Sequence, residues 1–377
     1  SVFSSNDDSE LVKGLLEFAD SYYTWIKQLN ANENQLGLEN IERCIKDYER
    51  IKSNINEFLT DPVKMQIFRL MNAAMFMQLW HSKGNNQEQV RNDQQELSFE
   101  YYKKRALDTT IFKGQIAAWR PFQLAFILLN LDGVFQSKND PKWEKRRNLV
   151  DLVWFPTGGG KTESYLGIIA LVSINRRLTY NNGSGKGVAA IMRYTLRLLT
   201  TQQFQRALRL ILAIEQIRKW NIFNLGDEEF SIGLYVGESS LKNHYSDVAD
   251  EIRRNWTDGG AHGQIPLDKC PWCGDIIRAR DTATDRFKFS CKNPKCTFGK
   301  RNYYPVRLCD DHVYEEPPTL LFGTVDKFAQ LARKVNTNEI SADSRRLFGK
   351  GIGCTPPDLI IQDELHLIKE SLGTYAG

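Results

Sequence analysis

The chain has 377 residues, 41% hydrophobic and 25% charged, with a formal net charge of +4. That length suits two or three domains with a buried core, and the composition excludes a disordered tail or a membrane protein. The near-neutral sum hides an asymmetry. Residues 1–100 carry 10 basic and 16 acidic side chains, residues 101–220 carry 20 and 7, and residues 221–377 carry 20 and 23. The middle segment attracts a polyanion if its cations share a face, and is otherwise a solvated basic surface. No stretch reaches the roughly 20 apolar residues a bilayer requires. The first residues lack the basic and apolar regions of a secretion signal, and the chain opens on Ser1 rather than Met, as a processed or partial chain would.

Residues 1–95 read as an N-terminal helical domain. Leu11, Leu15, Leu16, Phe18, Ala19 and Tyr22 recur at helical spacing, as do Ile67, Leu70, Met71, Ala74, Met75 and Leu79 after the start signal Asp61-Pro62. Met65, Met71, Met75 and Met77 fit core packing rather than a cofactor site. The amide-rich stretch 83–95 reads as a loop or linker. From about residue 100 the pattern turns to alternating strands and helices. Residues 149–155 form a β-rich run ahead of a glycine turn and an apolar helix over 162–178. A strand over 188–192 leads into a long helix over 196–219, and 231–236, 319–322 and 358–362 are further strands. Continuous apolar strands separated by helices specify an α/β fold, a parallel sheet flanked by helices on both faces.

Pro156-Thr157-Gly158-Gly159-Gly160-Lys161-Thr162 stands between an expected strand and an expected helix, the setting of a phosphate-cradling loop. Glycines let backbone N–H groups turn toward phosphates, and the helix N-terminus adds partial positive charge. Lys161 would reach the β- and γ-phosphates, and the Thr162 hydroxyl would bind Mg2+. Phe155 stands where the general pattern has Gly or Ala. The apolar run before Asp363 delivers that carboxylate at a strand's C-terminal end as a second Mg2+ ligand, with Glu364 next to it as general base for the attacking water. His366 fits a nucleotide-state sensor or a structural role equally well.

Asp363-Glu364-Leu365-His366 resembles the DExH signature of superfamily 2 helicases, and Gly160-Lys161-Thr162 resembles their phosphate loop. Arg120-Pro121-Phe122-Gln123 resembles that family's Q motif, in which a glutamine reads adenine. The resemblance gives that part to Gln123 with Phe122 beside it, and a satisfied core amide is the alternative. Residues 192–206 are similar to motif Ia, with Tyr194 and Leu196 departing from the common Pro-Thr-Arg form. Residues 323–328 resemble motif Ib or Ic, in which a threonine contacts a phosphate. These motifs make Arg193, Arg197, Thr324 and Lys327 candidate contacts to a nucleic-acid backbone. The wording across residues 115–377 is similar to the large helicase-like proteins of the prokaryotic anti-phage systems DISARM and Druantia. The resemblance implies a RecA-like lobe over 100–377 with ATP and Mg2+ as cofactors. It also implies DNA, as a single strand or a duplex end, as the track, and a second RecA-like domain and other defence subunits as partners. Motors of this kind close two lobes around ATP, so one lobe alone is expected to hydrolyse it weakly.

Cys270-Pro271-Trp272-Cys273 and Cys291-Lys292-Asn293-Pro294-Lys295-Cys296 form a Cx2C…Cx4C pair inside an insertion over 262–305. Two such hooks close a tetrahedral Zn2+ site that serves as a folding staple, and Gly274 permits the tight turn after the first hook. Cys309 is an alternative ligand, while Cys44 and Cys354 read as ordinary buried thiols. Trp272 with Lys288, Lys292, Lys295, Lys300 and Arg301 offers either a nucleic-acid surface or a solvated rim. Seven cysteines, four of them in paired spacing, fit a reducing, cytoplasmic setting better than a disulfide framework.

The expected function is therefore an ATP-dependent nucleic-acid translocase or helicase, of which this is the first motor domain. The alternatives are a zinc-bearing nucleic-acid-binding scaffold that uses ATP only as a switch, and the translocase subunit of a restriction-type complex.

Overall fold

The computed structural model describes residues 8–29, 35–92, 97–106, 108, 117–136, 139–153, 159–180, 183, 185–194, 201–238, 240–256, 265–280, 287–299, 302–331, 343–363 and 365. In chain order the helices are α1 (Asp8–Ile26), α2 (Gln35–Phe58), α3 (Pro62–Ser82), α4 (Gly84–Asn92), α5 (Phe99–Ala106), α6 (Pro121–Leu129), α7 (Leu131–Phe135), α8 (Lys142–Arg147) and α9 (Lys161–Thr179). Strand β1 (Ala190–Tyr194), α10 (Thr201–Lys219), β2 (Ile232–Tyr235) and α11 (Tyr245–Asn255) follow. Then come β3 (Ile277–Arg280), β4 (Lys288–Cys291), β5 (Val306–Arg307), α12 (Asp310–Glu315), β6 (Leu320–Thr324), α13 (Val325–Ala329), a 3-10 turn at Ser344–Phe348 and β7 (Leu359–Gln362). The chain divides into two compact units, Ser1–Ala73 with Lys103–Leu171 and Ala74–Tyr102 with Val172–Gly377.

The first unit is helical in its described residues. Asp61 starts α3 by accepting hydrogen bonds from the backbone N–H groups of Val63 (2.9 Å) and Lys64 (3.1 Å), with Pro62 at the first helical position. Helix α2 buries Ile51, Ile55 and Phe58 and packs on α6 and α7. Its buried Asn54 donates to the carbonyls of Leu128 and Leu129, satisfying the end of α6. Buried Asp132 is held by Arg50 (2.9 Å) and Arg146 (2.8 Å). Of the four expected core methionines, Met65 and Met71 are buried in this unit and Met75 and Met77 in the second.

The second unit is built on a five-stranded parallel sheet in the order β5-β2-β6-β1-β7. Ala190 of β1 stands opposite Leu320 of β6 and Leu359 of β7. Leu320, Leu321 and Phe322 are fully buried because helices cover both faces of the central strands. Edge strand β7 leaves Ile360 57% exposed. Arg176, fully buried near the end of α9, donates to the carbonyls of Gly185, Lys186, Thr355 and Pro356 and to Asp358 (2.7 Å). One guanidinium thus ties the chain leading into β1 to the chain leading into β7. Hairpin β3–β4 lies outside this sheet.

Four expectations are corrected. Described residues 149–153 form no strand, and Val150 is 90% exposed. An apolar run needs a hydrogen-bonded neighbour to become β-structure, and no described strand pairs with it. Residues 84–92 are helix α4 rather than a loop, because tertiary contacts to Arg91 outweigh the weak helix propensity of the stretch. The strand expected at 188–192 lies at Ala190–Tyr194. Cys44 and Cys354 are half-buried rather than buried.

Candidate functional site

In the first unit the start of α6 is fastened to the glycine loop. Arg120 precedes Pro121 at the first helical position, and its backbone N–H donates to the Gln123 side-chain oxygen (2.9 Å). The other end of that amide, Nε2, donates to the carbonyl of Gly160 (2.8 Å). The Arg120 guanidinium donates to the carbonyl of Gly159 (2.7 Å). Gln123 is 5% exposed with both ends of its amide engaged. Gly160 has φ +96°, and a Cβ there would stand 2.9 Å from the Gln123 nitrogen, so this position accepts only glycine. Lys161 and Thr162 follow as the first residues of α9, both half-buried. Phe122 is half-buried in α6. Thr157 and Gly158 lie outside the described residues.

In the second unit Asp363 immediately follows β7 and is buried, its N–H donating to the Arg193 carbonyl (3.1 Å). Glu364, His366 and Arg197 lie outside the described residues. Arg193 sits in β1, and burial holds its guanidinium below the usual arginine range. Thr324 ends β6 and is buried. Lys327 corrects the expectation of an exposed cation. It is 1% exposed, its ammonium bonds Asp310 (2.8 Å) and Asn243 (2.7 Å), and it lies over the Tyr235 ring. A cation so enclosed presents no surface to a strand.

Cys270, Cys273, Cys291 and Cys296 converge, with all four sulfurs within 4.8 Å of one another and all buried. The Cys270–Cys296 and Cys273–Cys291 separations are 3.9 and 3.4 Å. A disulfide needs about 2.05 Å, whereas tetrahedral Zn–S bonds of about 2.3 Å place sulfurs roughly 3.8 Å apart. The cluster is therefore compatible with zinc. Gly274 takes φ +74° after the first hook, and its N–H returns to the Cys270 carbonyl (2.8 Å). Cys309 is not in the cluster.

The cluster is embedded in its own unit. Trp272 is fully buried, which removes it from both alternatives, a nucleic-acid surface and a solvated rim. Its ring stacks on His81 of α3, with centroids 3.5 Å apart. The His81 Nδ1 bonds the Trp272 carbonyl (2.6 Å), so that nitrogen carries the proton, and Nε2 accepts from the Tyr102 hydroxyl (2.6 Å). Burial pushes the His81 imidazole down to about 3, keeping it neutral. Arg91 of α4 donates to the Cys273 carbonyl (3.4 Å), and Arg209 of α10 donates to the Pro271 carbonyl (2.7 Å). Neither His81 nor Arg209 carries a local sequence signal for this role, because their partners lie far along the chain.

The described structure thus defines an α/β protein with a parallel sheet and a buried four-cysteine centre of zinc-binding type. No protein-family model matches the chain. It resembles DISARM protein DrmA of Bacillus paralicheniformis, with 36% identity over 420 aligned residues that take in 99% of this chain and 35% of that protein. The chain accordingly spans about a third of the length of this curated relative. Among the described residues no helix is long and apolar enough to cross a membrane.

Proposed function

We propose that the chain is the first RecA-like motor domain of an ATP-dependent DNA translocase or helicase of superfamily 2, working in the cytoplasm in anti-phage defence. In this reading residues 1–95 are a helical domain, 100–377 the motor lobe and 262–305 its zinc-bearing insertion. A second RecA-like lobe and other defence subunits are its partners. The observation that carries the reading is the fastening of Arg120 and Gln123 to Gly159 and Gly160, which sets the helix start against the glycine loop. The resemblance to a DISARM protein along nearly the whole chain supports the defence setting.

Residues Thr157–Thr162 would hold the phosphates of ATP, with Phe122 and Gln123 at the base. Lys161 would offset phosphate charge, and Glu364 would take the proton from water. Mg2+, held by Thr162 and Asp363, would supply further charge neutralisation. Arg193 and Arg197 remain the candidate backbone contacts, with affinity falling steeply as salt rises. Zinc on the four cysteines would hold the insertion folded. The test is ATP turnover by the longer parent protein on single-stranded DNA, duplex DNA and RNA. Lys161→Ala and Glu364→Gln are expected to abolish stimulated turnover; undiminished hydrolysis in both variants defeats the reading.

A further inference from the structure

At the N-terminal ends of the parallel strands, opposite the end that carries Asp363, the second unit holds an open polar cavity of about 380 Å³. Gly187, Ser231, Thr319 and Cys354, which stand just before β1, β2, β6 and β7, form its floor. Its volume falls in the range of roughly 300–1,000 Å³ typical of small-molecule sites.

The charges around it are unevenly satisfied. Four described arginines are buried: Arg176, Arg177, Arg209 and Arg307. Arg176 has Asp358 (2.7 Å), Arg307 has Glu229 (2.6 Å) and Glu316 (3.0 Å), and Arg209 stands beside the Cys270 thiol of the metal-type cluster. Arg177 lines the cavity at 8% exposure, as buried as Arg307, yet it bonds only the Glu229 carbonyl (2.9 Å) and lies over the Phe230 ring. A buried guanidinium without a direct ion pair is costly. Glu228 and Glu215 act on Arg177 only from beyond ion-pair distance, and burial pushes it down to about 10, so it stays charged at neutral pH. Arg346, also in the lining, likewise bonds carbonyls, those of Tyr314 (2.7 Å) and Glu315 (3.0 Å). None of the lining carboxylates pairs with Arg177 directly. Glu229 and Glu316 are committed to Arg307, Glu315 accepts from the Tyr245 hydroxyl, and Glu228 is exposed at the rim.

We propose that this cavity binds a small organic anion, a phosphate ester or a carboxylate, with Arg177 as its buried anchor and Arg346 as its second donor. The cavity lining shares no residue with the glycine loop, and the proposal does not depend on the motor reading.

The test is calorimetric titration of the zinc-loaded Lys161→Ala chain, which lacks the glycine-loop cation, with inorganic phosphate and separately with succinate. Binding of at least one is expected, and which one binds identifies the anion class. Arg177→Met is expected to weaken it at least about tenfold, the loss of one charge-assisted bidentate pair. Should Arg177→Met fail to fold by circular dichroism, Arg346→Gln takes its place, with a loss of at least about threefold expected. The proposal is overturned if neither anion binds at concentrations up to about 10 mM, or if the folded variant binds as tightly as its parent.

Discussion

The His81 imidazole lies flat against the Trp272 indole, with centroids 3.5 Å apart and planes 22° from parallel, and its Nδ1 donates to the carbonyl of that same tryptophan. The first cysteine hook therefore faces inward onto helix α3, and its aromatic residue is a packing element. Trp272→Ala is expected to destabilise the zinc-loaded chain by about 3–5 kcal/mol, as for other buried aromatics. Urea unfolding measures this. A loss below about 1 kcal/mol would mean the stack contributes little beyond surface contact.

Chelation should loosen the segment that these contacts hold. Purified chain is expected to carry one zinc, and its removal should expose residues 83–106 to a protease while Cys309→Ser retains the metal. Metal analysis with timed proteolysis reads both, since Arg91 and His81 reach the hooks through the carbonyls of Cys273 and Trp272. Full zinc content after Cys270→Ser would argue against the four-cysteine assignment.

The depressed His81 fixes the sign of a pH effect. Its folded value of about 3 lies below the unfolded value of about 6.5, so unfolding takes up a proton below pH 6.5. The stability this group contributes is complete above about pH 6.5 and is lost as pH falls toward 3, with a slope of at most about 1.4 kcal/mol per pH unit. Urea midpoints measured with excess zinc between pH 7.5 and pH 5.5 should fall more steeply for the parent than for His81→Phe.

At the glycine loop, Gln123→Glu replaces a donor to the Gly160 carbonyl with a second acceptor, and Gly160→Ala places a methyl 2.9 Å from the Gln123 nitrogen at φ +96°. Each is expected to lower the urea midpoint and, in the still-folded chain without urea, to weaken binding of a fluorescent ATP analogue by roughly tenfold or more. Equal nucleotide affinity in both variants would detach this contact from nucleotide binding.

Much of the sheet was legible because β1, β2, β6 and β7 are apolar runs bounded by turn residues, and buried parallel strands have that signature. The four cysteines were legible by spacing alone. Lys327 was misread because a motif position says nothing of what surrounds it, and here Asp310 and Asn243 come from elsewhere in the chain to enclose it. Trp272 was misread for the same reason, since its partner His81 belongs to a helix 191 residues earlier. Strand β5 is two residues long, too short to show periodicity. Residues 149–153 carry a strand's composition, but composition does not supply a partner.

Strand β6 lies at the centre of the sheet, yet the chain leaves β2 and passes through the whole cysteine-bearing excursion before β6 can take its place at β2's side. Closing so long an excursion has an entropic cost that no contact within β2 offsets, and a metal-clipped insertion shortens the effective loop. Closing the cysteine hooks on a metal is therefore expected to speed the seating of β6 between β1 and β2 rather than to be required for it. Refolding from urea is expected to be slower without zinc, with recovery on its addition limited by the return of β6 to the gap between them.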